Sequence, residues 1–131
     1  MDMLLYPSCK LYKNGRFRLP NKIKTELLKA RYQRVVILAD ADKKCLIVPV
    51  SIWEKKKLDF VLAEELNYPQ RPQSLQKTYL QLYPELINYL NNPHTLYIEH
   101  NSDHCVIFTD KNYKNENQEQ RIVLDNLYEA L

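Results

Sequence analysis

At 131 residues and net charge +3, the chain is long enough for one domain or for two small repeats sharing a core. It is 45% hydrophobic and 27% charged, an ordinary globular balance with no apolar run of bilayer-spanning length. Its single glycine excludes any Gly-rich phosphate loop or dinucleotide fingerprint.

In chain order, residues 1–9 lack a charged region followed by an apolar stretch, so no signal peptide is expected. A short strand fits residues 3–12. Asn14-Gly15-Arg16 then holds the lone glycine, where average usage would supply about nine. Glycine is required where φ is positive or where another backbone must come close, so Asn-Gly before a β-like run reads as a tight turn. A second strand, 16–19, alternates basic and apolar residues. Pro20 suits the opening of a helix over 20–31, with Ile23, Leu27 and Ala30 at helical spacing. Val35–Ala39 and Cys45–Val50 read as buried-type strands around a polar turn at 40–44. Ser51-Ile52-Trp53-Glu54 has the pattern of a capping box, with Ser51 at the N-cap, opening a helix to about Leu66. Asn67–Ser74, with Pro69 and Pro72, reads as part of a linker over 67–78.

Beyond it the first half recurs in outline. Pro84 opens a short helix, Thr95–Glu99 and Cys105–Thr109 are strands, and 100–104 is a polar turn. A shift of 60 pairs Val36 with Leu96, Leu38 with Ile98, Cys45 with Cys105, Ile47 with Ile107 and Trp53 with Tyr113. A shift of 64 pairs Pro20 with Pro84 and Ile23 with Ile87, so four residues lost in one loop would reconcile the two. The alternatives are an internal duplication and two unrelated hairpins. Residues 116–131 are amphipathic, with Ile122, Val123, Leu127 and Leu131 on one side, and read as a C-terminal helix packed on the body or on a neighbouring subunit.

Charge is uneven. Residues 1–66 hold 14 Lys+Arg against 8 Asp+Glu, and residues 67–131 hold 5 against 8. The densest stretch, 10–34, carries nine basic residues and one acid, Glu26. Such a field attracts polyanions, and five of these cations flank the glycine turn and the following helix. The candidate DNA-binding residues are Lys10, Lys13, Asn14, Gly15, Arg16, Arg18, Lys22 and Lys24. Arginine can grip a guanine edge with two parallel hydrogen bonds, lysine neutralises phosphates, and a β-ribbon fits the major groove.

Other chemistry is thinly represented. Cys9, Cys45 and Cys105 do not make a disulfide framework, which favours a reducing cytoplasm. Cys45 and Cys105 sit mid-strand and read as small buried hydrophobes. His100, Asp103, His104 and Cys105 adjoin a turn, but Cys105 should point away from His104 and no second ligand pair has zinc spacing. No catalytic constellation is visible, so the expectation is a non-enzyme with no cofactor, no metal, no small-molecule substrate and no membrane partner.

Gly15-Arg16-Phe17-Arg18-Leu19-Pro20, a basic helix, Val35-Val36-Ile37-Leu38, Cys45-Leu46-Ile47-Val48-Pro49 and Ser51-Ile52-Trp53-Glu54, in that order, resemble the MraZ family of the AbrB/SpoVT swapped-hairpin superfamily. The likeness is close over 10–62 and weak over 80–131. It implies an α+β fold of two hairpin repeats (1–66 and 79–131) with short helices and a small barrel-like core. It also implies a ring-forming homo-oligomer and a nucleoid-associated transcriptional repressor that binds double-stranded DNA through Arg16. Two departures stand out. Tyr12 and Asn14 occupy positions where the family usually has aspartate and lysine, and in the second repeat Gly15 and Arg16 are matched by Tyr79 and Leu80. A degenerate repeat protein serving as an assembly module, or an AbrB-type antitoxin with a bound toxin, are the competing expectations.

Overall fold

The computed structural model describes residues 7–56 and 70–109. The helix expected over 51–66 is covered only to Lys56. The C-terminal helix over 116–131, the Trp53–Tyr113 match and residues 1–6 lie outside the described residues. The elements are β1 (Ser8–Lys10), β2 (Arg16–Phe17), α1 (Asn21–Lys29), β3 (Arg34–Asp40), β4 (Lys44–Pro49), α2 (Val50–Lys55), β5 (Gln73–Ser74), β6 (Leu80–Gln81), α3 (Pro84–Tyr89), β7 (Thr95–His100) and β8 (Cys105–Phe108). The architecture is mixed α+β. A six-stranded antiparallel sheet of order β1-β7-β8-β4-β3-β5 curls into a half-barrel, accompanied by the β2-β6 ribbon and three short helices.

That strand order reads the same when the halves are exchanged, β1 for β5, β3 for β7 and β4 for β8. The register follows suit: Cys45 faces Ile107, Ile47 faces Cys105, and Leu46 faces Val106 between them. In the ribbon Arg16 faces Gln81 and Phe17 faces Leu80. Among the described residues, besides the hairpins β3-β4 and β7-β8 and the isolated Leu11–Phe17 bridge, the strand pairings join one half to the other. Each half therefore completes the other's sheet, and one apolar core runs through both, from Phe17, Leu19 and Leu27 to Leu82, Leu96 and Ile107.

The offsets between halves differ in detail from those expected. Both helices end alike: Tyr32 N donates to Leu27 O and Asn92 N to Ile87 O, with Arg31 (φ 66°) and Asn91 (φ 63°) left-handed. The change in offset falls inside the helix rather than in a loop, since α1 has nine residues and α3 six. Losing about one turn of 3.6 residues leaves the remaining side chains on the same face. In the hairpins Ile37 faces Ile47 and Ile98 faces Ile107, so the first hairpin strand is offset by 61, not 60. Val35 and Ile37 thus join Leu96 and Ile98 in the main core. Val36 and Leu38 lie on the opposite face, with Leu46 and Val48, under Ile52 and Trp53. Because residues 35–39 of β3 and 45–49 of β4 are all apolar, alternation could not say which face was which.

Three further expectations change. The Ser51–Glu54 capping box does not form: Pro49 (φ −55°, ψ 139°) is the N-cap of α2 and no side chain caps it. Pro20 is likewise the N-cap of α1 rather than its first residue. Proline's fixed φ makes each strand-to-helix corner without help from a hydroxyl. Residues 73–75, read as linker, contain β5, which pairs with β3, and Leu75, which is 1% exposed.

Candidate nucleic-acid interface

The glycine turn closes as a three-residue hairpin loop. Tyr12 N donates to Arg16 O and Gly15 N to Tyr12 O, both at 2.9 Å. Gly15 is left-handed at φ 80°, the position such loops reserve for glycine. Asn14 Oδ1 accepts from Arg16 N at 3.1 Å, locking the corner. The glycine has a second reason to be there. Its carbonyl accepts from Leu82 N at 2.7 Å, and a Cβ on it would overlap the Leu82 carbonyl oxygen. Gln81 adds a bond from Nε2 to Asn14 O at 2.8 Å. The turn is thus seated on the second half of the chain, through backbone that no side chain could allow so close.

Strand alternation then sorts the following residues. Phe17 and Leu19 are buried, while Arg16 and Arg18 are exposed on the other face. Lys13 and Asn14 are exposed at the tip, and Lys22 is exposed in the first turn of α1. Lys10 is exposed, with its ammonium 5.2 Å from the Tyr12 ring centroid. Lys24 is half-buried and its Nζ donates to Lys77 O at 3.1 Å, so it braces the β5-β6 connection. Glu26, the acid of the basic segment, is occupied by His100 Nδ1 at 3.0 Å.

The fold adds partners to Arg16 that no local pattern marks. A groove of about 670 Å³ is lined by Arg16, Arg34, Arg71, Lys77, Tyr79 and Tyr83, among others, with no acidic side chain among its described lining residues. All four cations are exposed, and none makes an ion pair with a described carboxylate. The groove floor is held by Gln73, whose side chain accepts from Gln81 N and donates to Gln81 O, standing in for a strand neighbour. Beside it Tyr12 and Tyr79 stack edge to face at 5.9 Å and are 43% and 40% exposed. Tyr12 and Tyr79 lie 67 residues apart in the chain, and the fold brings them into contact.

The histidines diverge. His100 goes to Glu26, and His104 Nδ1 contacts Asp103 Oδ1 at 2.8 Å. Lys56 Nζ reaches the other Asp103 oxygen at 3.0 Å. Hydrogen bonds from His104 and then Lys56 hold the Asp103 carboxyl below its ordinary range. Among the described residues no group of three potential ligands is arranged to hold a metal. Burial pushes the Cys45 and Cys105 thiols up to about 12 and the half-buried Cys9 thiol to about 11. Neutral thiols are poor nucleophiles. Among the described residues no helix is long and apolar enough to cross a membrane. No family model matches the chain, and no curated protein is significantly similar to it.

Proposed function

We propose that this chain is a sequence-specific binder of double-stranded DNA, a transcriptional repressor of the MraZ/AbrB type acting as a homo-oligomer at the nucleoid. The observation that carries the reading is Arg16, exposed beside the glycine turn and lining a groove with no acidic side chain among the described residues. The guanidinium would read a guanine edge, while Lys13, Arg18 and Lys22 would neutralise phosphates. The two-stranded β2-β6 ribbon has the width of a major-groove reader. A palindromic strand order is also what two fused copies of a swapped-hairpin unit would produce. One turn offers few contacts, so useful affinity requires several copies on repeated half-sites.

Electrophoretic shift at rising salt tests the reading. Wild type should retard duplex DNA at low salt and lose it steeply as salt increases, and Arg16→Ala should abolish preference for a selected site. Absence of any duplex binding by wild type, or equal binding by the variant, refutes it. The exposed Tyr12–Tyr79 pair favours a second reading, a protein-interaction module that has given up DNA. Selection from random duplexes separates the two: a repeated consensus supports the repressor, and none supports the module.

A further inference from the structure

We infer that the groove between β2, β6 and the start of β3 is a phosphodiester-binding track, through which the second half of the chain holds the backbone of the duplex whose bases Arg16 reads. This rests on the DNA-binding reading and extends it to residues that the glycine-turn motif does not include. Three observations carry it. The cations come from separate segments, Arg16 in β2, Arg34 in β3, and Arg71 and Lys77 around β5, yet they line one groove. Among the described residues no carboxylate lines that groove, and none pairs with any of the four. Clustered unpaired cations repel one another, and a bound polyanion relieves that repulsion.

The chemistry of the lining selects phosphodiesters over small carboxylates. The guanidinium forks of Arg34 and Arg71 suit phosphate oxygens, which they can engage with two parallel bonds each. The groove is open to solvent, which fits a chain of phosphates better than an enclosed metabolite. Tyr79 and Tyr83 supply ring surface at its edge for sugars. The second half has lost the glycine and arginine of its own turn. In the corresponding loop it retains Lys77, and Arg71 precedes that loop. A division of labour follows: the first half reads sequence and the second half neutralises backbone.

The test compares wild type with the triple variant Arg34→Gln/Arg71→Gln/Lys77→Gln. All three side chains are exposed, so an unchanged thermal midpoint is expected to confirm folding. Fluorescence anisotropy with a selected duplex and a scrambled duplex is measured over a range of salt. At about 0.9 per phosphate contact, the slope of log K against log salt should shrink by about 2 to 3. Affinity at about 0.1 M salt should fall on the order of 100-fold for both duplexes, with their ratio preserved. An unchanged slope in the variant overturns the track while leaving the repressor reading intact. Loss of the selected-to-scrambled ratio also overturns it, since the groove would then be reading bases. A second arm needs no duplex: inorganic tripolyphosphate is titrated into each full-length protein and followed by amide NMR. Shifts at residues 71–83 in wild type that vanish in the triple variant support the track even if wild type binds no duplex, and their absence overturns it.

Discussion

Replacing Gly15 by alanine should cost about 3–4 kcal/mol of folding stability, far more than a turn substitution normally does. The left-handed φ of 80° alone penalises a Cβ by about 1–2 kcal/mol. The new methyl would also strike the Leu82 carbonyl oxygen, which is backbone and cannot swing aside, and would lie 3.2 Å from Ile87 Cδ1. Relief requires moving the crossing segment away. That sacrifices the Leu82 N to Gly15 O bond and strains the Gln81 to Asn14 bond, each worth about 1 kcal/mol. For a chain of this size the sum corresponds to a fall in Tm of about 10–15 °C. Urea denaturation followed by circular dichroism measures it, with Asn14→Ala as a control that removes one exposed side-chain bond and should lose about 1 kcal/mol or less. A Gly15→Ala loss of about 2 kcal/mol or less, which the positive φ alone accounts for, would refute the claim that close backbone approach, rather than turn shape alone, demands glycine here.

Phe17 is fully buried and faces Leu80 across the ribbon, so Phe17→Ala should lose about 3–5 kcal/mol in the same assay; a loss under about 1.5 kcal/mol would mean the ribbon is not part of the cooperative core. With thiols raised to about 11 and 12, native protein at pH 7.5 should resist maleimide labelling at Cys45 and Cys105 and react slowly at Cys9, with all three labelled in urea. Rapid native labelling of Cys45 or Cys105 would contradict their burial. Asp103→Asn should destabilise by less than about 1 kcal/mol at neutral pH, because the site is partly exposed. Since the folded carboxyl titrates below its ordinary 3.8, its contribution is present above that value and fades as pH falls through the lowered one. The gap between variant and wild type should therefore close in acid; a gap that persists below the folded titration would assign the effect to something other than charge.

Much of the local structure was legible in the residues themselves. A positive φ, a fixed proline φ and helical spacing are properties of a few adjacent residues, so the Gly15 turn, the start of α3 and the two hairpins could be read directly, and the start of α1 to within one residue. The recurrence of Cys45-Leu46-Ile47 as Cys105-Val106-Ile107 was visible for the same reason. The linker was misread because β5 is two residues long, too short to show a period, and is defined only by its bonds to β3. The capping box was misread because Pro49 already shapes the corner that Ser51 would have capped.

Which strands meet is a different kind of information. Arg16 reaches Gln81, and Arg34 reaches Ser74, only because each half lends strands to the other, and such pairings depend on burial and register over dozens of residues rather than on neighbours. The amino-acid order determined the bends, the helices and an exposed arginine behind a glycine. The tertiary structure alone decided that Arg16, Arg34, Arg71 and Lys77 would share a groove, because charge carries no sequence signal of proximity until chain crossings bring distant cations side by side.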